Sequence, residues 1–574
     1  MRRDRVQPNS PFVASAGIVL CTIFTAACGE KDQAPRVDVA GPSGDWVPDE
    51  RPPPDDDLDW ERCPLETDGS GSAAECAAVE VPLHWDAPNG ETIPLFVKRY
   101  RTNPHPRGQL WLLNGGPGGS GVDFEAIADV LDGLAGDLVI YMPDHRGTGR
   151  AASRLGCPAQ ESESSPGGVS VTLEETADCL SSAEAEWGDA LSGFNITEAA
   201  RDIGELIERT RYEGDEIYVY GVSYGTVWAQ RYLQWFPDQA DGVVLDSICS
   251  PGACEFALQY DTGFNDNGHL LMDACAADPN CASRLGGDPW TWLGELHAKL
   301  DDGHCPDLEL DRAGLRQLLA LLSMDWLLRD YLPALAYRID RCEPADVVAI
   351  DRLFTVLTAL LPPDPYGSVV LGTNIAYSEF VAEPAPSLQE VLDHVATLYV
   401  SRDTGPELMP YYADWPRYPR DEYYGQYPST TTPLLLLNGT LDPQTPLLVA
   451  QPALDHYSAG HQTAVIVERS AHGVLVESPL DDQGSEMCGL DLMGQFVRDP
   501  TATIDTACRS RVRELHFAGD ASVSQILLGT GDAWDNVGGT SSQALGDPVS
   551  SMGPAAARQA VENLRKRLRL SSMR

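Results

Sequence analysis

Tyr218-Val219-Tyr220-Gly221-Val222-Ser223-Tyr224-Gly225-Thr226 is an apolar strand pattern that stops at Gly-Val-Ser-Tyr-Gly and runs into a helical pattern. Glycines two places before and two after the serine permit the sharp turn of a nucleophile elbow, which would hold Ser223 exposed at a strand end. A hydroxyl so placed suits covalent hydrolysis once a base can reach it. The motif is only moderately specific, because a glycine-flanked serine in any tight turn matches it too, so the surrounding chain has to decide.

Other short apolar runs precede and follow it: Leu110 to Leu113, Leu138 to Met142, Val243 to Leu245, Leu434 to Leu437 and Ala464 to Val467. Continuous runs of this length suit strands buried on both faces of a parallel sheet. Helical patterns at Ala199 to Arg211 and Thr226 to Phe236 alternate with them, and Glu80 to Thr102 reads as an antiparallel hairpin around Asp86-Ala87-Pro88-Asn89-Gly90. The expected fold is α/β, a mostly parallel doubly wound sheet of the α/β-hydrolase type, with its site at the carboxyl ends of the strands. Strand signals lapse near Ser250 and return only at Leu434, with helical patterns at Leu315 to Tyr337 and Ala345 to Leu361 between them. This predicts core segments over 61–250 and 431–510, a helical cap over 251–430, and an extension over 511–574 of no legible role, including a basic amphipathic helix from Ala555 to Leu570. No internal repeat is visible.

Serine needs a base, and the base an orienting carboxylate, in the chain order serine, acid, histidine on such a sheet. Asp442 ends the run Leu434 to Leu441, and His472 follows the next strand. His456 and Asp455 lie in a helical pattern and His461 precedes the strand, so none fits as well. A turn aspartate before Pro443 and a loop histidine without a role are the plainer readings of the same two residues. An oxyanion would be met by the backbone N–H of Tyr224 and by a second donor from the glycine-rich loop Leu113 to Gly121.

The chain has 574 residues, ample for a catalytic domain with inserted parts. Arg2, Arg3 and Arg5 before the apolar stretch Phe12 to Ala27 read as an export signal over 1–28. Its end, Thr25-Ala26-Ala27-Cys28, is similar to a lipobox, which makes Cys28 a candidate lipidation site and the membrane a partner through a lipid anchor. Ordinary cleavage after Ala27 and a retained anchor are the alternatives. Residues 29–60, around Pro52-Pro53-Pro54-Asp55-Asp56-Asp57, read as a disordered tether. Twelve cysteines remain beyond Cys21 and Cys28, an even number that suits disulfides in an oxidising compartment. Neighbour pairing (63 with 76, 157 with 179, 249 with 254, 275 with 281, 305 with 342, 488 with 508) is the simplest scheme, although spacing leaves the partners of the middle four open. Without a Cys-x-x-Cys or a paired-histidine spacing, no metal is expected. A net charge of −46 repels nucleic acid and otherwise reads as a solvated acidic surface.

Four motifs together resemble the prolyl iminopeptidase and tripeptidyl aminopeptidase group of α/β-hydrolases: Asn114 to Gly121, Asp144-His145-Arg146-Gly147-Thr148-Gly149, Gly221 to Gly225, and Asp442-Pro443-Gln444-Thr445-Pro446. The likeness covers about Cys63 to Cys508, and Asn114, where prolyl iminopeptidases have histidine, moves it toward the tripeptidyl branch. It implies Ser223, Asp442 and His472 as nucleophile, acid and base, and Gly116 with Tyr224 as the oxyanion hole. Arg146 is expected to brace its loop through Asp144. The stretch Asn374 to Glu379 is similar to a family segment whose acidic residue binds a substrate amine, so Glu379 is a candidate anchor, an exposed glutamate of an acidic protein being the plainer reading. Tyr377 stands where the family often has cysteine.

The activity expected is that of an exported serine hydrolase, an aminopeptidase acting on peptides with a free amino terminus and needing no cofactor. A carboxylesterase, or a noncatalytic binding module on the same scaffold, is the alternative. Composition and motifs do not decide the residue removed or the oligomeric state.

Overall fold

The computed structural model describes residues 47, 49, 51, 58–360 and 364–536. The export signal with Cys28, nearly all of the tether, and Ala555 to Leu570 lie outside the described residues.

Nine strands form one sheet: β1 (Glu61–Pro64), β2 (Ala73–Pro82), β3 (Thr92–Tyr100), β4 (Gly108–Leu113), β5 (Leu138–Pro143), β6 (Glu216–Val222), β7 (Gly242–Asp246), β8 (Leu434–Gly439) and β9 (Gln462–Val467), in the order 1-2-3-5-4-6-7-8-9. The pairs from β1 to β5 across β2 and β3 are antiparallel; all pairs from β5 through β4 to β9 are parallel. Every residue of β4, β5, β7 and β8 is buried, which is why these strands read as unbroken apolar runs. Alternate residues feed two cores: Trp111, Leu113, Val219, Val243 and Leu245 one, Leu110, Leu112, Tyr218, Tyr220 and Val244 the other. Each such fully buried leucine or valine contributes about 1.5–3 kcal/mol relative to exposure.

The helix Ile196–Thr210 starts where the Asn195 side chain accepts the N–H of Glu198 at 2.8 Å. It buries Ala199, Ala200, Ile203, Leu206 and Ile207 in the first of these cores. Its Asp202 also takes the guanidinium of Arg146, at 2.6 and 2.8 Å. That corrects the expected Asp144 pairing: Arg146 spends its other donors on the carbonyls of Leu83, Gly193 and Pro82, while Asp144 binds Ser120, Gly121 and Arg150. Two aspartates lie within reach of the loop, and spacing favoured the one nearer in sequence.

Between β7 and β8 the described chain is helical, and the predicted stretch Leu315 to Tyr337 divides into Arg312–Ser323, a 3-10 turn and Leu332–Arg341. These helices enclose a third core containing Leu315, Leu319, Trp326, Leu335 and Ile350. Phe517, Ile526, Leu527 and Trp534 belong to it as well. The segment after Cys508 therefore returns from the sheet to close the helical region. Six disulfides join the neighbouring cysteines as expected, from Cys63–Cys76 to Cys488–Cys508. Among the described residues no helix is long and apolar enough to cross a membrane.

Candidate active site

At the end of β6 Ser223 adopts φ 57° and ψ −125°, a conformation that costs of order 1–3 kcal/mol for a residue with a side chain. The flanking glycines make it possible. A Cβ on Gly221 would lie 2.3 Å from the carbonyl oxygen of Gly225, and one on Gly225 would lie 2.2 Å from that of Leu113. The serine heads the helix Tyr224–Trp235, so the N–H of Tyr224 opens a helix N-terminus beside it.

Asp442 and His472 come together across the loops that follow β8 and β9. His472 Nδ1 donates to the Asp442 carboxylate, 2.9 Å from Oδ1 and 3.0 Å from Oδ2. Three more donors converge on that carboxylate: the N–H of Gln444 and of Thr445, each at 2.9 Å, and the Thr445 hydroxyl at 2.9 Å. Burial alone would raise the Asp442 carboxyl, but the facing imidazole and these donors hold it below its ordinary value. Among the described residues His472 Nε2 is buried and has no hydrogen-bond partner, the Ser223 hydroxyl included, so this nitrogen is left unengaged.

One residue ties the serine and histidine loops together. The carbonyl of Asp246, last in β7, accepts the Ser223 N–H at 3.0 Å. Its carboxylate accepts the N–H of Val474 (2.8 Å) and of Leu475 (2.9 Å), just past His472, and the Tyr220 hydroxyl (2.9 Å). The neighbouring Ser247 hydroxyl accepts the Gly473 N–H at 2.7 Å. Burial pushes the Asp246 carboxyl up to about 6 against the pull of these donors.

Gly116, Ser223, Tyr224, Phe256, Tyr260 and Gln444 line one narrow pocket of about 20 Å³. Gly116 has φ 114°, and the preceding Gly115 packs so closely that a Cβ there would lie 2.9 Å from that of Ser223. Asn114 shapes this loop by donating to the Ser120 carbonyl and to Asp123, both at 2.7 Å. Below the pocket His145 donates from Nδ1 to the Arg146 carbonyl (2.8 Å) and accepts the Tyr224 hydroxyl on Nε2 (3.0 Å). Burial pushes its pKa down to about 3, so this imidazole stays neutral.

Glu379 lies elsewhere. It ends the helix Val369–Glu379 and is buried rather than exposed. It lines a second pocket with Arg231 and Tyr423, which shares Phe380 and the Cys249–Cys254 bridge with the first. Burial raises its carboxyl, and Asp421 adds to this against the pull of Arg231 and the Tyr418 hydroxyl. The carboxylate in the Ser223 pocket is Glu255, which accepts the N–H groups of Ala257, Leu258 and Gln259 at 2.7, 2.8 and 3.0 Å.

Four of these residues escaped the sequence reading: Asp246, Thr445, Glu255 and Gln444. Asp246 carried a signal, since it ends an apolar run just as Asp442 does. Thr445 and Gln444 sat inside a quoted motif without a role, and Glu255 stood in a segment with no periodic pattern.

A model of the alpha/beta hydrolase fold matches residues 110–331, and a model of TAP-like proteins matches residues 401–508. The serine protease Hip1 of Mycobacterium tuberculosis is 26% identical over 253 residues, 41% of this chain and 47% of the relative. The tripeptidyl aminopeptidase of Streptomyces coelicolor is 28% identical over 271 residues (42% and 49%), and carboxylesterase B of M. tuberculosis is 30% identical over 249 residues (40% and 46%). The chain spans about half the length of the curated relatives it matches. Ser223 falls in the first matched segment, and Asp442 and His472 fall in the second. The chain therefore has the α/β-hydrolase fold, and its match to TAP-like proteins covers the segment that supplies the last two strands of the sheet.

Proposed function

We propose that this protein is an exported serine peptidase that releases residues from the amino end of peptides. In this reading His472 Nε2 takes the proton of Ser223 as its oxygen attacks the scissile carbonyl, and Asp442 holds the imidazole tautomer and stabilises the imidazolium. The N–H groups of Tyr224 and Gly116 meet the oxyanion, His472 returns the proton to the departing amine, and water then releases the acyl group from Ser223.

The observation that carries the reading is the charge of the pocket. Its lining holds one formal charge, the Glu255 carboxylate, and no cation. A low-dielectric pocket of that sign favours an ammonium group and disfavours a carboxylate, so Glu255 is the first candidate to hold the substrate amine. Glu379, in the adjoining pocket, is the second. Relatives named serine protease and tripeptidyl aminopeptidase support the class. Export rests on the leader and agrees with six disulfides; a lipid anchor at Cys28 is part of the proposal.

A carboxylesterase is the second reading, favoured by the apolar wall of Phe256, Phe380 and Val449 and by the relative of that name. Turnover of tripeptidyl arylamides, free or acetylated at the amino end, should be compared with that of short acyl esters. Preference for the free amine is expected; turnover of esters alone would establish the second reading. A fluorophosphonate probe should label the protein and fail on Ser223→Ala, and absence of labelling in the folded protein would leave a binding module.

A further inference from the structure

Gln444 presents a hydrogen-bond donor that no group among the described residues accepts. Its side chain is 7% exposed and lines the Ser223 pocket. Its Oε1 accepts the hydroxyl of Tyr260 at 2.7 Å, while its Nε2 is buried without a partner. Its main chain is equally constrained, since its N–H donates to the carboxylate that faces His472. The tyrosine comes from the first helix after β7, Gln259–Ala277, and so spans from the helical region to the loop after β8. With the Tyr260 hydroxyl donating to Oε1, the amide NH2 is the end left unpaired at the pocket.

An amide that only braced Tyr260 would need one polar end and would leave the other in water or bonded to its surroundings. A buried NH2 group without an acceptor is costly and uncommon in folded proteins. The group that relieves it must bring an acceptor, must lie beside Ser223, and must tolerate a pocket whose charge is already negative. An anion fails the last condition, and a neutral amide carbonyl meets all three.

We propose that Gln444, oriented by Tyr260, donates Nε2–H to a main-chain carbonyl of the bound peptide other than the scissile one, and so favours peptides of more than one acyl residue over single aminoacyl groups and small esters. This rests on the peptidase reading above. An ester of acetic acid has no second carbonyl, and an aminoacyl arylamide has only the scissile one, so neither substrate gains from the contact.

The test uses the full mature chain with three substrates on the same serine: a tripeptidyl arylamide, an aminoacyl arylamide and p-nitrophenyl acetate. In Gln444→Leu the kcat/KM ratio of tripeptidyl to aminoacyl arylamide is expected to fall about 10- to 100-fold, and the ratio of tripeptidyl arylamide to ester likewise. Tyr260→Phe, which frees the amide to turn, should lower both ratios by a smaller factor. Thermal unfolding and the rate of fluorophosphonate labelling confirm that each variant is folded with Ser223 reactive; if Gln444→Leu does not fold, Gln444→Glu keeps the acceptor for Tyr260 and removes the donor. Equal losses on all three substrates would assign Gln444 to the Asp442 loop alone and overturn the proposal, as would ratios that stay at the wild-type value. A wild-type enzyme that turns over the ester and neither arylamide overturns the peptidase reading itself, a result distinct from either of these.

Discussion

Asp246 holds the loop of His472 by its backbone, with Oδ1 2.8 Å from the nitrogen of Val474 and Oδ2 2.9 Å from that of Leu475. The same residue takes the N–H of Ser223 on its carbonyl. Two side chains that lie 249 residues apart in sequence (472 − 223) are thereby registered against one strand end. A misplacement of about 1 Å in such a pair is enough to cost about 100-fold in rate.

Replacing Asp246 by Asn keeps one acceptor and turns an NH2 group toward a backbone N–H. A fall in kcat of about 10- to 100-fold is expected, with a smaller change in KM. Stability carries a second signature. The folded carboxyl sits at about 6, above its ordinary 3.8, so the folded state holds this proton more tightly than the unfolded chain does. The contribution is present in full below 3.8 and is lost as pH rises through about 6, a few kcal/mol in all. Asp246→Asn should remove that slope, and denaturant unfolding between pH 4 and 7 reads it directly. A variant whose stability falls with pH as steeply as the wild type would disprove the assignment.

Thr445 supplies both a hydroxyl and an N–H to Asp442, and Thr445→Val removes only the hydroxyl. Asp442 is held below its ordinary value in part by that donor, so the variant carboxyl titrates higher. The stabilisation from a lowered carboxyl is present above the unfolded pKa and lost as pH falls through the folded one. The acid limb of the stability profile, read by denaturant unfolding, is therefore expected to move to higher pH, with kcat down about 5- to 20-fold at neutral pH. An unmoved limb would mean that the imidazole and the backbone donors suffice.

The contrast between Asp442 and Asp246 shows what the chain discloses by itself. Both end apolar runs, and both bond the same histidine loop, Asp246 as the last residue of β7 and Asp442 from the loop just past β8. Strand runs, the elbow and the six cysteine pairs were legible because each depends on neighbours within a few dozen residues. Arg146 was given the wrong aspartate because the helix that carries Asp202 packs over its loop only in the folded chain. Which pocket Glu379 lines was not legible for a related reason: a likeness in sequence says nothing of which side of the Phe380 wall a carboxylate faces, and Glu379 lines the pocket adjoining that of Ser223. The closing role of residues past Cys508 was hidden altogether, since Phe517 and Trp534 stand in a stretch rich in Gly, Ser and Asp whose apolar residues find partners nearly 200 positions away.

Arg469, three residues before His472, has φ 57° and is held from two sides. Arg329 donates Nη2–H to its carbonyl at 2.5 Å, and its own guanidinium donates to the carbonyls of Val512 (2.6 Å) and Arg513 (3.3 Å). Glycine adopts that φ without strain, so Arg469→Gly removes the guanidinium while sparing the backbone. A drop in kcat of about 5- to 30-fold is expected, with the unfolding free energy changed by no more than about 1–2 kcal/mol. A larger loss on Arg469→Ala, which must also bear the strained φ, would separate backbone from side chain. If both variants keep the wild-type kcat, the clamp serves folding alone.

Trp534 fastens the described part of the carboxyl-terminal segment to the helices. It is 1% exposed, packs at a tilt against Tyr337, and donates Nε1–H to the Phe517 carbonyl at 2.6 Å. Around it Arg338 bonds the carbonyls of Ala533, Asp532 and Asp535, and Arg341 pairs with Asp535. Trp534→Ala opens a cavity and leaves the Phe517 carbonyl unpaired, which together cost about 3–5 kcal/mol. Because Trp534 packs in the helical core and not in either core of the sheet, the loss should fall on the helical region first. Calorimetry is expected to split one unfolding transition into two, with the earlier one lowered. Hydrogen exchange should then quicken in Arg312–Ser323 and Leu332–Arg341 while β4 to β8 stay protected. A single transition shifted as a whole would mean instead that the helices and the sheet unfold as one unit through the bonds of Arg329 to the Arg469 carbonyl and of Arg513 to Asp330.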